Sequence, residues 1–232
     1  MTTSAFVTGG SGFIGGALVR RLVADGWTVR ALARSDERAP LRFDSPALYS
    51  STKARAEEAV IGANQDGLET VVVRPRFVWG RGDTTLLPAM TEMVRAGRFA
   101  WIGGGRQRTS TTHVDNAVEG LMVAAQRGAP GGVYFVTDGE PVVFRDFVTR
   151  LIETQGVTPP GRSLPAPLAN AVATVGETAW RLLPLPGRPP LTRLAVWLSA
   201  VETTIDITRA RTELGYAPVR TIDDGLEELR QP

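Results

Sequence analysis

One stretch near the start of the sequence decides the fold: Val7-Thr8-Gly9-Gly10-Ser11-Gly12-Phe13-Ile14-Gly15-Gly16. Residues 5–7 form a short apolar run that predicts a buried strand, and residues 17–23 have apolar side chains at helical spacing. Asp25-Gly26 supplies a helix stop, after which residues 28–33 predict a second strand. This order of strand, glycine turn, helix and strand indicates a βαβ unit of the kind that binds a nucleotide.

Each of the three glycines of the turn has a role in binding a diphosphate. Gly9 permits a tight turn, Gly12 lets the backbone approach the phosphates without a Cβ in the way, and Gly15 lets the helix pack close to the strand. The unsatisfied N–H groups at the start of the helix then face the anion. We therefore predict a nucleotide-binding turn here; the alternative is a turn with a purely structural role.

The composition limits the classes of protein and of site. The 232 residues suffice for one domain, or for one domain and a small lobe. A net charge of +2, with scattered basic residues, predicts neither a nucleic-acid partner nor an anionic membrane surface. The chain has no cysteine and its only histidine is His113, so we expect no metal site. The N-terminus has no apolar leader, and the uncharged residues 163–176 are too few to span a bilayer, so a cytoplasmic protein is expected.

A second constellation lies in a helix predicted for residues 44–60. Tyr49 and Lys53 are four residues apart and therefore lie one turn apart on one helix face. Lys53 is the only lysine in the sequence. A phenol titrates near pH ~10, and a nearby ammonium favours the phenolate, so this pair can exchange a proton with an alcohol while hydride moves to a nicotinamide. The alternative is a surface tyrosine beside a solvated lysine.

These two motifs give the sequence its resemblance to a family. It is similar to the extended short-chain dehydrogenases/reductases, in the branch of NAD-dependent epimerases, dehydratases and 3β-hydroxysteroid dehydrogenase-like enzymes. Residues 74–80, 111–117 and 206–218 resemble further segments of that family, so the resemblance covers nearly all of the chain. Within residues 111–117 we expect Asp115 to be a helix N-cap and not a catalyst.

The resemblance implies roles for individual residues. Tyr49 is expected to act as acid and base, and Lys53 to lower its pKa and to contact the nicotinamide ribose. Arg34 stands where an acidic residue would favour NAD, so the resemblance favours NADP. The residues expected to bind the cofactor, NAD(P), are Gly9, Gly12, Phe13, Ile14, Gly15, Arg34, Lys53, Pro75 and Val78.

One internal segment of the family pattern is missing. In the family, three more strands follow the second one, and the last carries a Ser or Thr that hydrogen-bonds the substrate oxygen. Only residues 35–48 separate Arg34 from Tyr49, whereas a βαβ unit takes roughly 30 residues. We predict a sheet narrowed by the loss of central strands, in which strand one pairs directly with a strand at residues 69–73. The alternative is a truncated or engineered chain.

The predicted fold class is therefore α/β, with two parts. Residues 1–143 are expected to form a Rossmann-type domain with a parallel sheet, and residues 144–232 a small, mostly helical C-terminal lobe, with strand exchange between them. Residues 144–152 are amphipathic, and residues 168–183 are apolar and alanine-rich. By resemblance the lobe covers the substrate, and an apolar cover suits a sterol-like or long-chain molecule. The apolar helix is equally a candidate for core or for the face of a homodimer.

The resemblance implies reversible hydride transfer between a nicotinamide and a secondary alcohol or ketone of a small, apolar molecule. A nucleotide-sugar epimerase or dehydratase would use the same Tyr49 and Lys53, but it needs arginines for a diphosphate, for which Arg106 and Arg108 are candidates. A non-catalytic NAD(P)-binding protein is a third possibility, which the missing Ser or Thr favours.

Overall fold

The structure of the protein, a computed structural model, describes residues 4–32, 55–183 and 191–231. The strands are β1 (Ser4–Thr8), β2 (Thr28–Leu32), β3 (Val72–Pro75), β4 (Val78–Trp79), β5 (Trp101–Ile102), β6 (Arg108–Thr109), β7 (Thr112–His113), β8 (Val133–Val136), β9 (Val142–Val143) and β10 (Ser163–Leu164). The helices are α1 (Phe13–Ala24), α2 (helical over the described residues 55–62), α3 (Leu86–Arg95), α4 (Val114–Arg127), α5 (Phe144–Glu153), α6 (Ala166–Leu182), α7 (Arg193–Ala200) and α8 (Ile222–Arg230).

The first βαβ unit folds as the sequence predicts. β1 and β2 pair in parallel, from Ser4 opposite Thr28 to Thr8 opposite Leu32. α1 ends at Ala24 with Asp25 as its C-cap, and Gly26 follows with a φ of 82° that favours glycine. The strands are close and parallel because α1 crosses over between them and buries its apolar face against β1.

A second parallel pair is formed by β3 and β8. Val72 lies opposite Val133, and Pro75 lies opposite Val136. β3 begins at Val72, later than the predicted start at residue 69, because the preceding residues form a turn closed by an isolated bridge between Gln65 and Leu68. The buried rings of Tyr134 and Tyr216 pack with Leu214 on this pair, where Ala210–Leu214 forms a π-helical turn.

The prediction that strand one pairs with the strand at residues 69–73 is wrong. Among the strands of the described ranges, β1 is hydrogen-bonded to β2 and β3 to β8, and β1 and β3 are not neighbours. The two strand pairs, β1–β2 and β3–β8, are joined by a shared helix and not by a ladder of hydrogen bonds. α4 packs Val118 against the cluster around Val7, and it packs Ala124 against the cluster around Tyr134. The α/β class with parallel strands is confirmed, whereas direct pairing across the missing segment is not.

The C-terminal part is mostly helical, as predicted, and it returns strands to the first part. α5 buries its apolar face and is amphipathic, in agreement with the prediction for residues 144–152. β10 pairs in parallel with β5, and Thr203 forms an isolated bridge with Thr109. The largest core cluster of the described residues contains both Trp101 and Phe147, so the two parts share it. The boundary at residue 143 stays a prediction.

α6 is the longest helix in the described ranges. One side packs Ala169 and Ala173 against Val196 of α7, while Val172 and Val175 are exposed. Within the described residues, no helix combines the length and the apolar character needed to cross a membrane. The expected roles of α6 as a substrate cover or a homodimer face stay predictions.

Candidate functional site

The glycine turn between β1 and α1 is built so that only glycine fits its central contact. Gly9 has a φ of 70°, and its carbonyl oxygen accepts a hydrogen bond from the N–H of Gly12 at 2.9 Å. A Cβ added at Gly15 would stand 2.1 Å from that same carbonyl oxygen. The missing Cβ therefore lets the first turn of α1 pack directly on the glycine turn, as the sequence predicts.

The N-terminus of α1 offers free backbone donors. Gly12 is the N-cap, and in the described residues no side chain caps this end; the first turn holds no acidic residue. The first four N–H groups of an α-helix have no partner within the helix. Here the first, that of Gly12, donates to Gly9, and the other three belong to Phe13, Ile14 and Gly15. Because the glycines before them leave the end exposed, these N–H groups fit a diphosphate of a dinucleotide.

Three residues expected at the cofactor lie either close to this turn or at the carboxyl edge of the β3–β8 pair. Phe13 and Val78 pack against the same cluster around Val7, so the structure brings them together. Pro75 ends β3, and it lies at the carboxyl edge of the β3–β8 pair. Ligands of open α/β sheets bind at this edge.

The remaining predicted site residues lie outside the described residues. These are Tyr49 and Lys53, expected to carry the acid-base chemistry, and Arg34, expected to select NADP. Their roles therefore rest on the sequence.

A polar network that sequence analysis missed holds the segment beside this edge. Asp138 Oδ2 accepts hydrogen bonds from Trp79 Nε1 at 2.8 Å and from Thr111 Oγ1 at 2.7 Å. Its Oδ1 accepts from the backbone N–H of His113 and from Asn116 Nδ2. In the sequence, only the position of Asp138 could have indicated this role, because Asp138 follows the end of β8 by two residues. The network locks β4, β7 and α4 into one frame at the carboxyl edge.

The expected N-cap at residue 115 is wrong. The N-cap of α4 is His113, whose Nδ1 accepts a hydrogen bond from the N–H of Asp115 at 3.2 Å. Asp115 lies in the first turn, where a carboxylate interacts favourably with the helix dipole, and its Oδ2 accepts two hydrogen bonds from Arg220. Histidine is an unusual cap, so residue type alone favoured the aspartate.

One group of side chains in the described residues has the composition of a metal site. Ligand atoms of His113, Asp115 and Glu228 lie within 4.8 Å of one another. However, the guanidinium of Arg220 donates two hydrogen bonds to Asp115 Oδ2, at 3.0 and 3.2 Å. A metal ion here would have to displace this guanidinium, so the arrangement fits an ion-pair network better than a metal centre.

His113 is a buried base with an unusual environment. Its side chain is 1% exposed, and its ring meets Trp79 edge-on with 4.8 Å between the centroids. Its Nε2 has no hydrogen-bond partner among the residues that the structure describes. Burial lowers the pKa of His113 below its ordinary value, although Asp115, Asp138 and Glu228 oppose the shift. In the folded protein His113 therefore stays neutral over a range in which an unfolded histidine is already protonated.

This shift predicts that stability depends on pH. Between the unfolded pKa of ~6.5 and the lower folded pKa, the unfolded chain binds a proton that the folded chain does not. The free energy of unfolding should therefore be largest above pH ~6.5 and fall as the pH drops through that window. Urea unfolding at several pH values measures the slope. Because His113 is the only histidine, His113→Gln should remove it, and an unchanged slope in that variant would refute the assignment.

The chain makes a strained turn directly after β3. Phe77 has a φ of 45°, and it is the only non-glycine residue with positive φ in the described ranges. Such a conformation costs about 1–3 kcal/mol. Edge-on contacts of its ring with Phe144 and Phe147, at 6.0 and 5.8 Å between centroids, help to offset that cost. Strain of this kind at the carboxyl edge of a parallel pair marks a candidate ligand-binding segment.

Two family models match the chain. One, described as the 3-beta hydroxysteroid dehydrogenase/isomerase family, matches residues 29–166. The other, described as the NAD dependent epimerase/dehydratase family, matches residues 5–44. Together these matches include the glycine turn, the Tyr49–Lys53 segment and the strained turn after β3.

Individual relatives agree with the first model. The chain is 48% identical to the 4-hydroxy-2-methyl-3-oxo-4-farnesyl-3,4-dihydroquinoline-1-oxide ketoreductase of Stigmatella aurantiaca, over 90% of this chain and 62% of that protein. It is 35% identical to the 2-alkyl-3-oxoalkanoate reductase of Stenotrophomonas maltophilia (strain K279a), over 82% of this chain and 59% of that protein. The chain thus spans about three fifths of the length of these relatives.

A solved structure supports the fold. The Bordetella bronchiseptica enzyme WbmF, solved in complex with NADH, matches with a TM-score of 0.65 at 19% identity, over 99% of this chain and 91% of that chain. At this level of identity the likeness concerns the fold, and it confirms the predicted Rossmann-type α/β class.

Proposed function

The chain belongs to the 3-beta hydroxysteroid dehydrogenase/isomerase family, and on that premise we propose that it binds NAD(P) and catalyses reversible hydride transfer to a ketone. The observation that carries the proposal is the N-terminus of α1. There, three uncapped N–H groups follow a turn in which a side chain at Gly15 would collide with the carbonyl oxygen of Gly9. Such a cradle fits a cofactor diphosphate.

In this proposal, some of the residues that hold the cofactor come from the glycine turn and others from the family resemblance. The N–H groups of Phe13, Ile14 and Gly15 bind the diphosphate in this proposal, and Pro75 and Val78 line the nicotinamide end at the carboxyl edge. Lys53 contacts the nicotinamide ribose. Arg34 favours NADP, because a guanidinium suits the 2′-phosphate that distinguishes NADP from NAD.

The chemistry that this chain itself supplies is proton transfer. The bound cofactor supplies a hydride in its reduced form and accepts one in its oxidised form. Tyr49 donates its proton to the carbonyl oxygen as the alcohol forms, and it takes the proton back in the reverse direction. Lys53 favours the phenolate and so brings the pKa of Tyr49 closer to neutral pH.

We propose an apolar ketone as the substrate, either sterol-like or long-chain. The names of the two relatives support this class, since one reduces a farnesylated quinoline ketone and the other a 2-alkyl-3-oxoalkanoate. The match of residues 5–44 to epimerases and dehydratases keeps a nucleotide-sugar substrate as the second candidate. Arg106 and Arg108, the candidates for holding its diphosphate, are both exposed. A homodimer and a cytoplasmic location stay predictions.

A thermal-shift titration with NADP and NAD tests whether the nucleotide half is assembled. A ligand at 100 times its Kd stabilises the fold by about 2.7 kcal/mol, which for a chain of this size raises Tm by about 5–10 °C. We expect a saturable rise with both cofactors, and a lower midpoint concentration for NADP. Arg34→Asp should reverse the preference.

Other outcomes separate the alternatives. No shift with either cofactor would contradict the proposal at its first step. A shift with cofactor, combined with a further shift by UDP-sugars, would favour the epimerase. Cofactor binding without oxidation of NAD(P)H in the presence of 2-alkyl-3-oxoalkanoates or 3-oxosteroids would favour a non-catalytic binding protein.

A further inference from the structure

Arg76 is fixed at the carboxyl edge of the β3–β8 pair by its backbone. Its N–H donates to Thr112 Oγ1 at 3.1 Å, and its carbonyl oxygen accepts from the same hydroxyl at 2.8 Å. The next residue is the strained Phe77. This two-sided contact with a fully buried threonine of β7 holds Arg76 in place, and strain at this point indicates a position held for a purpose other than stability.

The side chain of Arg76 reaches across to the C-terminal part. Its guanidinium lies over the ring of Trp197 on α7, with Cζ 5.5 Å from the ring centroid. Trp197 is 49% exposed, and Val201, one turn further on, is 42% exposed. Arg76 therefore stands between the carboxyl edge of β3 and an apolar, accessible face at the end of α7.

This guanidinium is half-buried, and it has no anionic partner among the described residues. Its Nε is buried without a hydrogen-bond partner, and no carboxylate in the described ranges forms an ion pair with it. Burial lowers the pKa of Arg76, and no acidic group in the described part of the chain opposes that shift. By contrast, Arg74, two residues earlier on β3, donates two hydrogen bonds to the carboxylate of Glu57. A desolvated cation without a counter-ion raises the free energy of the folded protein, and a bound anion would offset that increase.

We propose that Arg76 binds the carboxylate of the substrate, with the apolar part of the molecule lying along Trp197. The planar fork of a guanidinium matches the two oxygens of a carboxylate and forms paired hydrogen bonds with them. This inference rests on the proposed reductase function, and it narrows the substrate to an oxo acid with an apolar body. The corresponding product is the hydroxy acid, formed by one hydride and one proton.

Binding tests the inference without requiring turnover. We would titrate the NADP-saturated protein with 3-hydroxydecanoate and with its methyl ester, which has the same chain without the charge. The wild type should bind the acid at least 10-fold more tightly than the ester. Arg76→Gln should remove that preference by weakening the acid alone, and Arg76→Lys should retain part of it. Arg145→Gln is the matched control, because Arg145 lies over Trp101 at 5.1 Å in the same kind of pair.

The outcomes distinguish this inference from the proposed function. Equal binding of acid and ester by the wild type, or binding of neither, would overturn the role of Arg76. An equal loss for both probes in Arg76→Gln would also overturn it. If Arg76→Gln does not fold, two other measurements test the inference: the preference of the wild type for acid over ester, and the reduction of that preference in Arg76→Lys. If an oxo acid and its methyl ester are reduced with the same KM, the reductase function is supported and the carboxylate site at Arg76 is refuted. If the protein binds the acid more tightly than the ester but reduces no ketone, the carboxylate site is supported and the reductase function is refuted.

Discussion

Replacing Gly15 with alanine is expected to raise the Kd for NAD(P) at least ~100-fold, equivalent to about 2.7 kcal/mol. The new Cβ would stand 2.1 Å from the carbonyl oxygen of Gly9, a contact between two backbone-anchored atoms. α1 must then move away from the turn by about 1 Å, and a displacement of that size can cost ~100-fold when groups must meet a ligand in register. Equilibrium titration of cofactor fluorescence measures the effect.

A second glycine supplies the control for this experiment. Gly62 lies in α2, and a Cβ there would meet nothing within 4 Å. Gly62→Ala should leave the cofactor Kd unchanged and should stabilise the helix by about 0.5–1 kcal/mol. If Gly15→Ala bound NAD(P) as tightly as the wild type while remaining folded, the diphosphate would not lie at the N-terminus of α1.

The glycine turn was predictable because its geometry is local. The contact between Gly9 and Gly15 spans six residues, and the spacing of the glycines encodes it directly. The helix stop at Asp25 and Gly26 is local for the same reason. Strand β1 and helix α1 follow from apolar periodicity within a few residues. This part of the fold therefore needed no knowledge of how distant segments pack.

The pairing of strands was not predictable in the same way. Counting residues between Arg34 and Tyr49 indicated that strands of the family pattern are missing, but it could not specify how the remaining ones arrange. In the structure, α4 joins the two strand pairs, because its side chains pack in the clusters on both of them. Register across a gap depends on packing between residues far apart in the sequence, such as Leu22 and Val118, which lie 96 positions apart in one cluster. No local pattern records such a contact.

Polar roles in the segment after β7 were misassigned for a related reason. Asp115 has the residue type of an N-cap, yet the buried imidazole of His113 caps the helix, and Arg220 from beyond the π-helical turn binds the carboxylate. Likewise, the importance of Asp138 emerges only when three elements converge on it. In each case the partner comes from a distant part of the chain, so residue type alone gave no indication of the contact.

Replacing Tyr49 with phenylalanine is expected to lower kcat by ~100-fold to ~10,000-fold, the usual contribution of a positioned acid or base. The phenyl ring keeps the size of the side chain but has no proton to give to the carbonyl oxygen. Cofactor affinity should change little, because the turn at Gly9 and the N-terminus of α1 are untouched. Steady-state oxidation of NAD(P)H with a 2-alkyl-3-oxoalkanoate measures kcat, and the thermal shift measures cofactor binding.

The other two tyrosines are matched controls for this substitution. Tyr134 donates to Glu213 at 2.8 Å, and Tyr216 donates to the carbonyl oxygen of Thr137 at 2.8 Å, so their replacement by phenylalanine should reduce stability and leave kcat intact. Lys53→Gln supplies a distinct signature. Without the ammonium, the apparent pKa of Tyr49 should rise toward ~10, and the pH–rate profile should shift to higher pH. Turnover retained in Tyr49→Phe, or a profile unmoved by Lys53→Gln, would remove this pair from the mechanism.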